Sequence, residues 1–234
     1  MSENDQLSLF GLKQRITDPS SRQIGWWEQP FLVVDTETTG LHPQRDKIIE
    51  IAWVVCEGGH AISQGSHLIK PQEALSREVQ KLTGINDDML QYAPNWKHIM
   101  PKITELFEKS DFIVAYNADF DRRFIEHAFE REATELIKKP WVDPYVFIKD
   151  IDKYKKGKKL IDSARRWGIP LNGAHRALAD AAATAALLLK MQGKIGIHAL
   201  ENLLTTQATL KEEQERDFQA YLKRKKASVK EQHD

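Results

Sequence analysis

The sequence has few of the features that mark several large classes of protein. It contains a single cysteine, Cys56, which excludes an internal disulfide framework and a thiolate zinc cluster. No apolar run approaches the roughly 20 residues that span a bilayer, so we expect no membrane association. Residues 1–20 lack the basic region and the continuous apolar stretch of a secretory signal. These absences favour a reducing, cytoplasmic compartment.

A net charge is absent as well, because 34 basic side chains balance 34 acidic ones. A hydrophobic content of 41% with 29% charged residues is typical of a globular protein and excludes a disordered or fibrous one. The length of 234 residues suits one domain of ordinary size with extensions. Zero net charge leaves a nucleic-acid partner open, since the local distribution of charge decides such binding.

Three zones of the chain differ in composition. Residues 1–28 are polar and rich in turn formers, and they predict a flexible tail. Residues 29–192 alternate between strand-like and helix-like stretches, and residues 193–234 are strongly helical in composition. The middle zone predicts an α/β domain with a mixed sheet flanked by helices. Its predicted elements are a three-stranded antiparallel meander (31–34, 48–56 and 60–70), a strand at 111–115, and helices at 94–108, 119–131 and 174–191.

Two carboxylates follow the first predicted strand, in the segment Asp35-Thr36-Glu37. Side chains two positions apart on a strand point to the same face, which places Asp35 and Glu37 about 6–7 Å apart at Cα. Like charges this close repel unless a cation lies between them, and oxygen ligands select Mg²⁺ or Mn²⁺. The alternative is a solvated strand end. Gly40, which suits a sharp turn, favours a site.

Two further acidic segments stand at boundaries between predicted elements. Asp119 and Asp121 open a helix directly after the buried strand, where α/β sheets place their ligands. Asp119 fits a helix N-cap, while Asp121 faces either the cleft or solvent. Asp180 lies among alanines of the next predicted helix, an unusual place for a carboxylate without a function. His175, five residues earlier, must lie on the entering loop or just at the helix start to cooperate with Asp180, because five helical positions differ by about 140°.

Together these segments resemble the DEDDh 3′–5′ exonucleases, the family of the proofreading (epsilon) subunits of bacterial DNA polymerase III. The Asp-x-Glu motif is Asp35 to Glu37, the Asn-Ala-x-Phe-Asp motif is Asn117 to Asp121, and the His-x-Ala-x-x-Asp motif is His175 to Asp180. A Thr-Gly-Ile segment also matches, at Thr83 to Ile85. One departure is Tyr116, where the family often has histidine. The resemblance covers residues 30–192 and implies a ribonuclease-H-like fold.

The resemblance implies hydrolysis of the terminal phosphodiester at a DNA 3′ end, with release of 5′-mononucleotides during replication proofreading or repair. Two Mg²⁺ or Mn²⁺ ions would be held by the four carboxylates, and His175 would take a proton from the attacking water. A frayed single-stranded end would be gripped by the remaining motif residues, with Leu82 or Ile85 as an apolar wedge. The implied metal ligands are Asp35, Glu37, Asp121 and Asp180, and the implied substrate contacts are Thr36, Thr38, Leu82, Thr83, Gly84, Ile85, Asn117 and Phe120.

Basic clusters favour phosphate contacts, although each is also compatible with a solvated surface. They are Arg122-Arg123, Lys153 to Lys159 with five lysines in seven positions, and Arg165-Arg166. The C-terminal segment 197–226 is compatible with a helix pair packed on the domain, a polymerase-docking element or a DNA-contacting arm. A surface helix with a frayed basic end is the interpretation that we favour.

An apolar pentapeptide interrupts the polar N-terminal tail. It closely resembles the peptide with which bacterial proteins bind the sliding clamp, and it predicts that the clamp is a partner. The alternative is that its leucines and phenylalanine pack on the protein's own domain. The residues are Gln6, Leu7, Ser8, Leu9 and Phe10.

The sequence is also compatible with two alternative functions. An RNA-trimming exoribonuclease would use the same catalytic residues, and only the clamp-like pentapeptide favours DNA. A non-catalytic adaptor for the clamp or for a polymerase subunit would use the fold without the chemistry. The adaptor is disfavoured because a binding module has no need to assemble like charges at one point.

Overall fold

A computed structural model describes residues 24–171 and 176–230, except for the side chains of 226–230. Five strands form one mixed sheet in the order β3-β2-β1-β4-β5. The first three strands are the predicted antiparallel meander, and β4 and β5 continue the sheet parallel to β1. The strands are β1 Phe31–Thr38, β2 Ile48–Glu57, β3 His60–Leu68, β4 Phe112–Val114 and β5 Trp141–Val142.

Helices cover both faces of the sheet, as the sequence predicted. Successive side chains of β1 point to opposite faces of the sheet, each of which carries a hydrophobic core cluster. Phe31 and Val33 lie in one cluster, and Leu32 and Val34 lie in the other. All four side chains are buried, which is typical of a central strand between two helical layers. The helices are α1 Arg77–Thr83, α2 Asp87–Leu90, α3 Trp96–Glu108, α4 Asp119–Arg131, α5 Pro144–Ile151, α6 Leu160–Arg166, α7 Ala177–Ile195 and α8 Leu200–Lys230.

Helix α7 packs closely against the centre of the sheet because its inner face carries small side chains. Ala177, Ala181 and Ala185 recur every fourth residue and are all buried. The helix ends at Gly196, which adopts a left-handed conformation with φ of 66° and donates its N–H to the carbonyl of Gln192. The predicted range of 174–191 is therefore extended by four residues at its C-terminal end.

The segment before β1 packs against the segment that joins α7 to α8. Trp26, within the predicted tail, is fully buried and donates from its ring nitrogen to the carbonyl of Ile197 at 2.9 Å. Helix α8 buries Leu203, and its Gln207 side chain donates to the carbonyl of Trp141 in β5 and accepts the N–H of Asp143 just after that strand. Within the described part of the C-terminal zone, α8 extends from Leu200 to Lys230 as one helix. In the described part of the chain, no helix combines the length and the apolar character that a membrane span needs.

Candidate metal centre

The candidate site lies where β1 continues beyond its parallel neighbour. Pairing between the two strands ends at Val33 and Val114, and β1 then carries Asp35 to Thr38 past the end of β4. Helices α4 and α7 begin at this edge of the sheet. Open α/β sheets bind ligands at this position, because helix N-termini and strand carboxyl ends meet there.

Three of the four predicted carboxylates meet at one point. Asp35, Glu37 and Asp180 each place a side-chain oxygen within 4.8 Å of the others. The pairing of β1 with β2 is irregular between Glu37 and Thr38, because β2 carries one extra residue, Ile49, opposite this point. Such bulges redirect side chains and interrupt regular pairing, and this one lies opposite the end of the Asp-x-Glu motif.

The fourth carboxylate, Asp121, is held beside the other three. It is only 4% exposed, and its Oδ1 accepts the Thr36 N–H at 2.9 Å and the Thr36 hydroxyl at 2.7 Å. Thr36, predicted as a substrate contact, is thus occupied in fixing Asp121 within the fold. Asp121 faces inward, which decides the choice that the sequence left open.

The prediction that Asp119 caps helix α4 is wrong. The N-cap residue is Ala118, which makes no side-chain cap, and Asp119 is the first residue of the helix. Its carboxylate pairs instead with Lys211 of α8 and with Arg122 at 3.4 Å. Lys211 lies 92 positions away in the sequence, and its ion pair with Asp119 takes the place of a capping bond. Local sequence patterns do not reveal such a distant partner.

The cluster is electrostatically unfavourable unless protons or a cation are present. Burial raises the pKa of Asp35 well above its usual range, and the charges of Asp121 and Asp180 raise it further. Burial, followed by the charges of Asp180 and Glu50, raises the pKa of Glu37 to about 8. Burial also raises the pKa of Asp121 to about 7, although the hydrogen bonds from Thr36 oppose it.

This donor set fits a divalent cation. All the converging atoms are carboxylate oxygens, which Mg²⁺ and Mn²⁺ prefer over the nitrogen and sulfur ligands typical of zinc sites. A cation would remove the like-charge repulsion that raises the pKa of Asp35 and Glu37. The geometry and the electrostatics therefore favour the same kind of ligand.

A fifth carboxylate, Glu50, supports the cluster and was missed in the sequence. It lies opposite Glu37 in the β1–β2 ladder and is 1% exposed. Its oxygens accept bonds at 3.4 Å from the Arg176 guanidinium and from the N–H of Ala177, the first residue of α7. These bonds to Glu50 hold the start of α7 against β2, beside the Asp-x-Glu motif. Asp180, in the first turn of α7, is positioned with it.

A sixth carboxylate, Asp143, shapes the turn of the second motif. It accepts the backbone N–H groups of Asn117 at 2.9 Å and Ala118 at 3.1 Å, and it also caps helix α5. Asn117 is exposed and adopts a left-handed φ of 66°, which a non-glycine residue holds only where neighbours fix it. Asp143 supplies that constraint and directs the turn into α4.

The predicted Thr-Gly-Ile segment forms the end of α1, and its members differ in accessibility. Thr83 is 3% exposed, and its hydroxyl donates to the carbonyl of Val79. Gly84 caps the helix with a left-handed φ of 70°. Ile85 is fully buried in a small core cluster with Ile49, so the prediction that it serves as an apolar wedge is wrong.

Leu82 is the member of the segment that remains available, with 61% of its side chain exposed. Two other predicted contacts are partly engaged. The Thr38 hydroxyl donates to the carbonyl of Gly40 at 2.6 Å, and Phe120 is half-buried with its ring centroid 4.8 Å from that of Phe124. His175 and the pentapeptide 6–10 lie outside the described residues, while α7 begins at Ala177, after His175 in the chain.

The RNase T exonuclease family model matches residues 32–188, a range that contains all three motifs. The chain belongs to this exonuclease family. The resemblance predicted from the motifs is thereby confirmed. The match runs from the second residue of β1 through most of α7, so that every residue of the carboxylate cluster falls within it.

Similar curated proteins are much longer polymerases. A PolC-type DNA polymerase III of Thermotoga maritima is 34% identical over 205 residues, covering 83% of this chain and 15% of the polymerase. That of Bacillus subtilis is 37% identical over 165 residues, covering 70% of this chain and 11% of the polymerase. The chain thus spans about 15% or less of the length of these relatives.

Solved nucleases share the fold. E. coli exonuclease I in complex with a dT13 oligonucleotide superposes with a TM-score of 0.65 at 21% identity, covering 71% of this chain and 42% of that one. Exonuclease X in complex with 5′ overhanging duplex DNA gives a TM-score of 0.57 at 24% identity, covering 74% and 99%. The predicted ribonuclease-H-like α/β fold is confirmed.

Proposed function

We propose that the protein is a metal-dependent 3′–5′ exonuclease that hydrolyses terminal phosphodiesters of DNA and releases 5′-mononucleotides. The observation that carries the proposal is the convergence of Asp35, Glu37 and Asp180 within 4.8 Å at the edge of the sheet. The PolC-type relatives, which are DNA polymerases by name, support a role in replication proofreading or repair. We place this role in the cytoplasm, a compartment that suits a chain with a single cysteine. Exonuclease I, solved with an oligonucleotide, supports a single-stranded substrate.

The chain's own residues have separable roles in this proposal. Asp35, Glu37 and Asp180, with Asp121 beside them, would hold two Mg²⁺ or Mn²⁺ ions. When bound, such ions lower the pKa of a coordinated water and stabilise the departing 3′ oxygen. Glu50 and Arg176 keep Asp180 in register with the Asp-x-Glu motif.

His175 is proposed as the general base. It precedes the first residue of α7, and Asp180 follows in the first turn of that helix. A neutral imidazole is the usual side chain for accepting a proton from an attacking water near pH 7. The exposed Leu82 and Asn117 are proposed to contact the terminal nucleotide, whose separation from its neighbour at a frayed end costs little.

End-labelled oligonucleotides test the direction and the polymer. We expect single-stranded DNA labelled at its 5′ end to give a ladder of progressively shorter products with Mg²⁺ or Mn²⁺ and none with EDTA. DNA labelled at its 3′ end should release the label first, as a mononucleotide. RNA of the same sequence is the matched comparison: faster laddering of RNA would replace DNA by RNA as the substrate, and no laddering of either would contradict the proposed enzyme.

Tethering to the sliding clamp is a separate proposal that rests on residues 6–10. Deleting this pentapeptide should abolish co-elution with the clamp in gel filtration, while hydrolysis of free oligonucleotides stays within about twofold because the deletion leaves the carboxylate cluster intact. A variant with Leu9 and Phe10 replaced by alanine should behave in the same way. Equal clamp binding by the deleted and the full chain would contradict tethering through this segment.

A further inference from the structure

The loop between α5 and α6 concentrates positive charge close to the candidate site. Residues 152–159, called here the basic loop, contain five lysines and one acidic residue, Asp152. The Asp152 carboxylate accepts bonds from the Arg166 guanidinium at 3.0 Å and from the Trp167 ring nitrogen at 3.2 Å. Since this carboxylate is already paired within the fold, the loop presents a net positive charge to solvent.

The basic loop has a defined conformation that leaves four of its five lysines exposed. Lys158 turns inward, where its ammonium donates to the carbonyls of Asp152 and, at 2.7 Å, of Lys155. Arg166 donates to the carbonyl of Lys156 at 2.9 Å, and Gly157 takes a left-handed φ of 72° that lets the chain reverse. The other four lysines are exposed, and they are Lys153, Lys155, Lys156 and Lys159.

The loop is attached to the second motif through Tyr116. The Tyr116 hydroxyl donates to the carbonyl of Lys158 and lies 3.0 Å from the hydroxyl of Ser163. The loop and the motif line one cavity of about 460 Å³, whose walls include Tyr116, Asn117, Lys158 and Lys159. The cavity therefore connects the basic loop with Asn117, the proposed contact of the terminal nucleotide.

Tyr154, in the middle of the loop, is 92% exposed. An aromatic ring flanked by exposed lysines combines the two features with which proteins hold single-stranded nucleic acid, namely a stacking surface and phosphate contacts. An acidic protein segment would use the lysines but has no need of the ring. The combination therefore favours a nucleic-acid strand as the occupant.

We propose that the basic loop binds the sugar–phosphate backbone of the substrate strand upstream of its 3′ end, with Tyr154 stacking on a base. This inference rests on the proposed function and extends it, because it assigns substrate affinity to a surface outside the carboxylate cluster. The loop contributes to holding the strand and takes no part in hydrolysis. Its contribution should thus grow with strand length and fall with added salt.

A fourfold lysine-to-glutamine variant at positions 153, 155, 156 and 159 tests the proposal. On a strand of about 20 nucleotides we expect KM to rise about 10- to 100-fold with little change in kcat. The slope of log KM against log salt concentration should be smaller by roughly 2–3 in the variant, because each lysine that contacts a phosphate contributes about 0.7. Hydrolysis of the p-nitrophenyl ester of thymidine 5′-monophosphate, which has no upstream phosphates, should be unchanged. Tyr154→Ala should raise KM on the strand about 10-fold.

The matched control removes the same charge elsewhere. Four exposed lysines serve as this control, namely Lys97 and Lys102 on α3, Lys109 at its C-cap and Lys138 on the segment before β5. Their change to glutamine should leave KM within about twofold. Strand binding measured by fluorescence anisotropy in EDTA tests the loop independently of turnover. Unchanged strand affinity and salt slope in the loop variant would overturn the proposal. The same result is expected if the loop binds an acidic protein and not the strand. Absence of hydrolysis in the unmodified protein would contradict the proposed function alone.

Discussion

The variant Asp35→Asn should lose more than about 10³-fold of the strand-digesting activity while remaining folded. The substitution keeps the size of the side chain and removes one negative charge from the group formed with Glu37 and Asp180. A cation held by this group would lose one of its charged ligands. Initial rates on labelled single-stranded DNA measure the effect, with circular dichroism as the check on folding.

The same variant should be at least as stable as the unmodified protein when metal is removed. Burial, followed by the charges of the neighbouring carboxylates, raises the pKa of Asp35, so keeping this group in the folded protein costs stability at neutral pH. A loss of activity with no loss of stability separates a functional carboxylate from a structural one. Asp88→Asn, on the exposed surface of α2, is the matched control and should change neither quantity. Activity of Asp35→Asn within tenfold of the unmodified protein would contradict the assignment.

The sequence predicted the parts of the site that depend on local order along the chain. Asp35 and Glu37 follow an apolar segment with the period of a strand, and the period alone places them on one face. Asp180 could be singled out because a carboxylate among alanines of a helix is unusual. These inferences hold because strand and helix periodicities are local properties, and the parallel pairing of β1 with β4 then brings the motifs together.

The residues that support the site were not predictable in the same way. Glu50 becomes important only once β2 pairs with β1 in the register that sets it opposite Glu37. Its presence within the apolar run 48–54 was the available signal, since a charged residue in a buried strand needs a partner. Asp143 was likewise marked, by the following proline at the first position of α5. Its bonds to the Asn117 turn depend on tertiary structure alone.

The errors have a common physical origin in tertiary packing. Ile85 follows an exposed helix end, and its sequence neighbourhood is compatible with either a free wedge or a buried side chain. Its burial beside Ile49 and Leu90 depends on how α1 and α2 fold back onto the sheet. Asp119 had every local property of a cap, but Lys211 of α8 approaches it across the domain. Both outcomes reflect contacts between elements distant in sequence.

The metal-free protein should lose stability as the pH rises from about 5 to about 8. Glu37 has a folded-state pKa of about 8, against an ordinary value of 4.5, and Asp121 has one of about 7, against 3.8. Between the ordinary and the raised value the folded state keeps a proton that the unfolded state has released. Unfolding is therefore favoured as the pH increases through this window. The stabilisation by protonation is fully present only below the ordinary pKa values of these groups.

Denaturant titrations in EDTA at several pH values between 5 and 8 measure this dependence. We expect the free energy of unfolding to fall by about 1–3 kcal/mol across the range, a value reduced from the full shift because solvent screens part of the repulsion. Glu37→Gln should make the profile shallower, since one of the two titrating groups is gone and Asp121 remains, whereas Glu108→Gln on the surface of α3 should leave it unchanged. A profile that rises with pH, or one that Glu37→Gln does not alter, would contradict this account of the cluster.

Mn²⁺ should reverse the trend if the carboxylates bind a cation. Deprotonated carboxylates are the ligands, so affinity increases over the same pH range in which the metal-free fold weakens. At about 100 times the dissociation constant, a single bound ion adds about 2.7 kcal/mol of stability. The stabilising effect of Mn²⁺ should therefore be larger at pH 8 than at pH 5 and should be lost in Asp35→Asn. Equal stabilisation of Asp35→Asn and the unmodified protein at pH 8 would place the binding of Mn²⁺ elsewhere on the molecule.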